Sequence, residues 1–115
     1  MRLDLDLIRL VLLETEGHEW VDLGAYTEDQ INYHRAQLID AGYAEGYKNQ
    51  GLGQIGIPET TLSDLTWEGH QFLANARNDL FWKKAMRQLA KAGGSASIDI
   101  ISALLAKVAA SMLTN

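Results

Sequence analysis

Cysteine is absent from this chain, which excludes disulfides, thiolate chemistry and any cysteine-based zinc site. That absence fits a reducing cytosol. Proline occurs once, at Pro58, where the missing backbone donor marks a strand edge or the end of regular pairing. Long apolar runs are lacking too. The apolar start is broken by Asp4, Asp6 and Arg9, which the core of a signal peptide would not tolerate. The most apolar stretch, residues 98–113, is short for a bilayer and contains Lys107. The expectation is a cytoplasmic protein without a membrane partner. Positive charge is also scarce: 10 Lys and Arg stand against 15 Asp and Glu, a net charge of −5. Duplex binding draws most of its affinity from cations that neutralise phosphates, so a DNA reader with this balance needs a local basic patch.

What is present suffices for one folded domain. The chain has 115 residues, 47% of them apolar, with three tryptophans, enough for a real core and too apolar for disorder. It carries no internal repeat, low-complexity run or linker. Its three histidines, His18, His34 and His70, form no metal-binding spacing. No nucleophile has a base at a recognisable distance. Neither an enzyme nor a metal or cofactor site is expected.

The chain is organised around residues 26–48. Thr27 suits a helix N-cap, with Glu28 and Asp29 where the helix dipole favours negative charge. Ile31, His34, Leu38 and Ala41 share one face, and His34 on that stripe reads as a core histidine bonded to backbone. Gly42 suits a left-handed stop, and Tyr43 opens a strand over 43–48. With Ile31 inward, the outward face of the helix over 27–41 carries Asp29, Gln30, Asn32, Tyr33, Ala36, Gln37 and Asp40, with Arg35 at its edge. A second strand is expected over 54–57 across a glycine turn, with residues 58–64 as an irregular return. Residues 51–56 match G-x-G-x-x-G literally, but no helix follows to receive a phosphate, and turn glycines explain them better.

Elsewhere, Asp4 is read as the cap of a first helix over 5–14 that Gly17 ends. Residues 17–25 are read as a short strand or as a loop packing Trp20 on the core. Thr66 caps a helix with apolar Trp67, Phe72, Leu73 and Ala76. Asn78 or Asp79 starts another, in which Leu80, Phe81, Ala85, Leu89 and Ala92 carry the pattern to Gly93. Lys84, Arg87 and Lys91 follow one face of it, with Lys83 and Arg77 nearby, either as a strip for phosphate or acidic groups or as a solvated face. Ser95 or Ser97 caps a final helix over 98–113 with a seam of Ile101, Leu104, Leu105, Val108 and Met112. Being apolar nearly all round, that helix is expected to pack under the domain or against a second copy in a homodimer.

Four stretches, RLDLDLIRLVLL, INYHRAQLIDAGYAEG, LTWEGHQFLANARND and FWKKAMRQLAKAGGSASIDII, resemble in order and spacing a family of small uncharacterised proteins of bacteria and phages, domain-of-unknown-function family 2513. The resemblance implies an α+β fold: a winged helix-turn-helix-like core over 1–73 with a C-terminal helical extension over 74–115. It also resembles bacterial winged-helix repressors in the helix-to-strand junction and in Leu65, Thr66 and Gly69. Two functions follow as expectations. One is a small DNA-binding regulator, in which Asn32, Tyr33, Arg35, Ala36 and Gln37 face the groove of double-stranded DNA and Lys48 lies near its backbone. The other is a winged-helix scaffold that binds a protein partner, as a phage accessory protein binds a host factor, with no DNA contact.

Overall fold

Helix α1 (Leu5–Glu16) begins where the Asp4 carboxylate accepts the Leu7 N–H at 3.1 Å and ends at Gly17, whose φ of 81° is left-handed. Leu7, Ile8, Val11 and Leu12 form its buried stripe, the pairwise spacing of one helix face. The computed structural model describes residues 1–53 and 55–114.

Helix α2 (Glu28–Asp40) is fixed at both ends by local chemistry. The Thr27 hydroxyl accepts from the Gln30 N–H at 3.1 Å, and the Gln30 side chain returns the bond to the Thr27 N–H at 2.8 Å. Two orphan donors are thus satisfied reciprocally. At the other end Gly42 takes a φ of 84°. Its N–H reaches the Ile39 carbonyl at 3.0 Å and the Tyr43 N–H reaches the Leu38 carbonyl at 2.9 Å, closing the helix in a Schellman turn. Strand β1 (Ala44–Asn49) follows almost immediately.

Strand β2 (Glu59–Leu65) pairs antiparallel with β1, from Ala44 opposite Leu65 to Asn49 opposite Glu59. The register shifts between Glu45 and Gly46, leaving Ser63 as the extra residue of a bulge. The second strand therefore lies later than the expected 54–57. Gln54 is outside the described residues, Ile55 is exposed, and residues 50–53 and 55–58 lie in the connection. Gly53 and Gly56 have φ of 75° and 116°, which ends regular pairing, whereas the Thr60–Thr61 pair suits a pleated surface. Residues 17–27, all described, contain no strand, and Trp20 is 83% exposed rather than packed on the core.

Two compact units can be distinguished, Met1–His70 and Gln71–Asn115. In the first, α2 packs against α1 and both strands, and α1 also meets β2. Helix α3 (Trp67–Ala76) starts within it. The Thr66 hydroxyl accepts from the Gly69 N–H at 3.1 Å, and the Thr66 N–H donates to the Tyr43 carbonyl at 3.2 Å. Trp67 is exposed, whereas Phe72, Leu73 and Ala76 are buried.

In the second unit, helix α4 (Asp79–Lys91) is capped by Asn78, whose side chain accepts from the Leu80 and Phe81 N–H groups. Gly93 and Gly94 end it, with the Gly94 N–H on the Leu89 carbonyl at 2.9 Å. Its buried face is Trp82, Ala85 and Leu89. Leu80, expected on that face, is exposed, so the apolar phase is set by Trp82. Helix α5 (Ile98–Thr114) is capped by Ser97, which accepts from the Ile100 N–H at 3.2 Å. It packs on α4 and buries Ile98, Ile101, Leu105, Val108 and Ala109, while Leu104 and Met112 of the expected seam are half-exposed. Among the described residues no helix is long and apolar enough to cross a membrane. The chain is α+β, with five helices and one two-stranded antiparallel sheet among the described residues.

Candidate functional site

The side chains expected on an outward face of α2 are largely turned to structural use. Ala36 is 7% exposed and belongs to the core, which corrects its outward placement. Helix α2 is covered on one side by α1 and on another by the hairpin, so a wheel oriented on Ile31 alone exposes too much of it. Asn32 is half-buried, and its side-chain oxygen accepts the Thr60 N–H of β2 at 3.0 Å. Arg35 pairs with Glu14 of α1 at 2.9 Å and reaches the Thr60 carbonyl at 3.5 Å. Tyr33 and Gln37 are half-buried, the Tyr33 ring standing edge-on to His34. Lys48 is exposed but paired with Asp40 at 2.6 Å. The exposed residues of α2 are Glu28, Asp29 and Asp40.

His34 lies in the core as expected, 1% exposed. Its Nε2 accepts the Asp4 N–H at 2.8 Å, and its Nδ1 stands 2.6 Å from the Gln30 carbonyl oxygen. A carbonyl only accepts, so the proton is on Nδ1 and the neutral ring ties the start of α1 to the first turn of α2. Tyr26, half-buried just before α2, has its hydroxyl held above the usual tyrosine range by burial first and then by the Asp4 and Asp6 carboxylates.

Between α1, α2 and β2 lies an open cleft of about 350 Å³ lined by Glu14, Leu23, Glu28, Asn32, Arg35 and Glu59, among others. Arg35 is its only cation and is already paired with Glu14. Glu28 and Glu59, both exposed, leave the rim negative. The hairpin connection leads into Glu59, and residues 49–58 contain no charged residue. Leu52 and Ile55 stand there essentially fully exposed, and Tyr47 of β1 is 65% exposed.

Charge divides sharply along the chain. Met1–His70 holds four Lys and Arg against thirteen Asp and Glu, while Gln71–Asn115 holds six against two. The overall value of −5 conceals an acidic unit and a basic one. Glu14 as the partner of Arg35, Thr60 as the partner of Asn32, and the projecting Leu52 and Ile55 were not singled out by sequence spacing. The uncharged stretch 49–58 was the one available signal for the last two.

The family model described as "Hypothetical protein (DUF2513)" matches residues 2–95, and the chain belongs to that family. The match takes in α1 to α4 and stops before α5. The chain is also similar to a Haemophilus influenzae protein described as uncharacterized, at 25% identity over 120 residues, covering 98% of this chain and 99% of that one. No solved structure matches.

Proposed function

We propose that the protein is a small protein-binding module whose acidic helix–hairpin unit takes a basic partner segment with apolar side chains. The observation that carries this reading is the hairpin connection: an uncharged loop presenting Leu52 and Ile55 to solvent and leading in sequence into Glu59, which lines the acidic cleft with Glu28. Burying a leucine or isoleucine is worth about 1.5–3 kcal/mol each. A partner covering both side chains gains that before ordering costs are subtracted. A Lys or Arg from the same partner would meet the cleft carboxylates.

The order of α2, β1 and β2 resembles the helix and wing of a winged-helix domain, and the reading treats the unit as such a scaffold. A DNA-reading role for α2 is the competing account. It needs Arg35 and Lys48 for phosphate, yet both are in ion pairs. It also needs Asn32 for bases, although Asn32 holds β2.

The test is a selection of random peptides on the immobilised full chain. Selected peptides should be rich in Lys or Arg with interspersed apolar residues, and should bind at least tenfold more weakly to the Leu52→Ser, Ile55→Ser variant. Peptides without a basic bias, or binding indifferent to both substitutions, would overturn the reading.

A further inference from the structure

The cations of this protein fall into two physical states. Arg35 and Lys48 are held by carboxylates at 2.9 and 2.6 Å. On α4, Lys83, Arg87 and Lys91 are exposed. Among the described residues no carboxylate stands within ion-pairing distance of these three, nor of Lys84 and Lys107. The first three recur every fourth residue, so they form a row along one side of the helix, about 6 Å apart along its axis. The exposed row is thus Lys83, Arg87 and Lys91, while Lys84 turns toward α5. There Lys84 and Lys107 line an open groove of about 180 Å³ with Gln88, Leu104, Val108 and Ser111.

We propose that this face of α4, with the adjoining α4–α5 groove, binds the phosphate backbone of duplex nucleic acid without reading its sequence. Uncompensated like charges on neighbouring turns repel one another, and an anionic ligand removes that repulsion. The row spans about 12 Å of axis, a length over which a duplex presents roughly seven phosphates. The surroundings select among anionic ligands. A bilayer surface needs an apolar helix face to insert, and that of α4 is already buried as Trp82, Ala85 and Leu89. A protein interface centres on a desolvated aromatic or apolar anchor and is depleted in lysine, whereas the row from Lys83 to Lys91 exposes only Lys, Arg, Gln and Ala. Single strands are held by stacking on aromatic rings, and no aromatic side chain is exposed along it. Rigid, closely spaced phosphates are the remaining fit.

The experiment measures binding of the full-length chain to mixed-sequence duplex DNA across a salt series, beside phosphatidylserine vesicles and poly-glutamate. Three to five phosphate contacts predict log K falling with log salt at a slope of about −3 to −4.5. The triple variant Lys83→Gln, Arg87→Gln, Lys91→Gln should flatten that slope by about 2.7. These side chains are exposed and glutamine keeps helix propensity, so the circular dichroism spectrum should not change. Lys48→Gln should leave the slope alone. No binding at low salt, an unchanged slope in the triple variant, or vesicles or poly-glutamate bound as tightly as duplex would each overturn the proposal.

Discussion

The Thr66 hydroxyl donates to the Gly42 carbonyl at 2.6 Å, joining the residue that caps α3 to the residue that ends α2. The same oxygen accepts the Gly69 N–H at 3.1 Å, so one side chain closes a helix start and ties it to a helix stop 24 residues earlier. Thr66→Ser should keep both bonds. Thr66→Val keeps the shape and loses both, at a cost of about 1–2 kcal/mol. Urea unfolding midpoints of the two variants check this; equal midpoints would contradict it.

Gly69 explains why that cap must be followed by glycine. A Cβ there would collide with the Tyr43 carbonyl oxygen and crowd Leu65. On helix propensity alone, Gly69→Ala should stabilise α3 by about 1 kcal/mol. The packing predicts the opposite sign, a loss of about 1–3 kcal/mol. Gly46→Ala, where a Cβ would meet the Thr61 carbonyl, should also destabilise. Thermal unfolding reads the sign directly, and a raised midpoint for Gly69→Ala would refute the close approach.

His34 carries a spectroscopic prediction. Its ring should show the Nδ1-protonated tautomer in nitrogen NMR, because Nδ1 faces a carbonyl and Nε2 an N–H. His34→Leu leaves the Asp4 N–H and the Gln30 carbonyl without this ring and should cost about 2–3 kcal/mol. An Nε2-protonated ring would contradict the assignment.

Alkaline stability should depend on Tyr26. Its hydroxyl is raised by burial and by Asp4 and Asp6, so the unfolded chain releases this proton at lower pH than the folded one. Stability therefore falls as pH rises above the unfolded value of about 10, until the folded group also ionises. Tyr26→Phe should lessen that alkaline decline and leave the neutral range unchanged. Urea midpoints across the alkaline range check this, and identical declines in both proteins would contradict it.

Local chemistry was the legible part of the sequence. Asp4, Thr27, Asn78 and Ser97 cap the helices that follow them, and Gly17, Gly42 and Gly93 end those that precede them, because caps and stops are decided by a few neighbouring atoms. Contacts set by distant residues were not legible. Thr60 claims Asn32 from 28 residues away, and Glu14 claims Arg35 from 21. A helical wheel has no access to either partner, so it places Asn32 on the outward face and Arg35 at its edge. The second strand was misplaced because Ile55 and Ile57 look like strand residues, whereas the pairing begins only at Glu59. Trp82 was missed because Leu80 and Phe81, two and one positions before it, offered an equally apolar phase.

In the proposal made above, α2 serves mainly to hold the first unit together and α4 takes the phosphate backbone. Backbone amide shifts of the labelled protein, followed by NMR as duplex DNA is added at low salt, separate the two helices. Shifts should concentrate at Lys83 to Lys91 and around Lys107, with residues 28–40 and the hairpin nearly still. Shifts centred on Asn32, Arg35 and Lys48, with α4 silent, would contradict it.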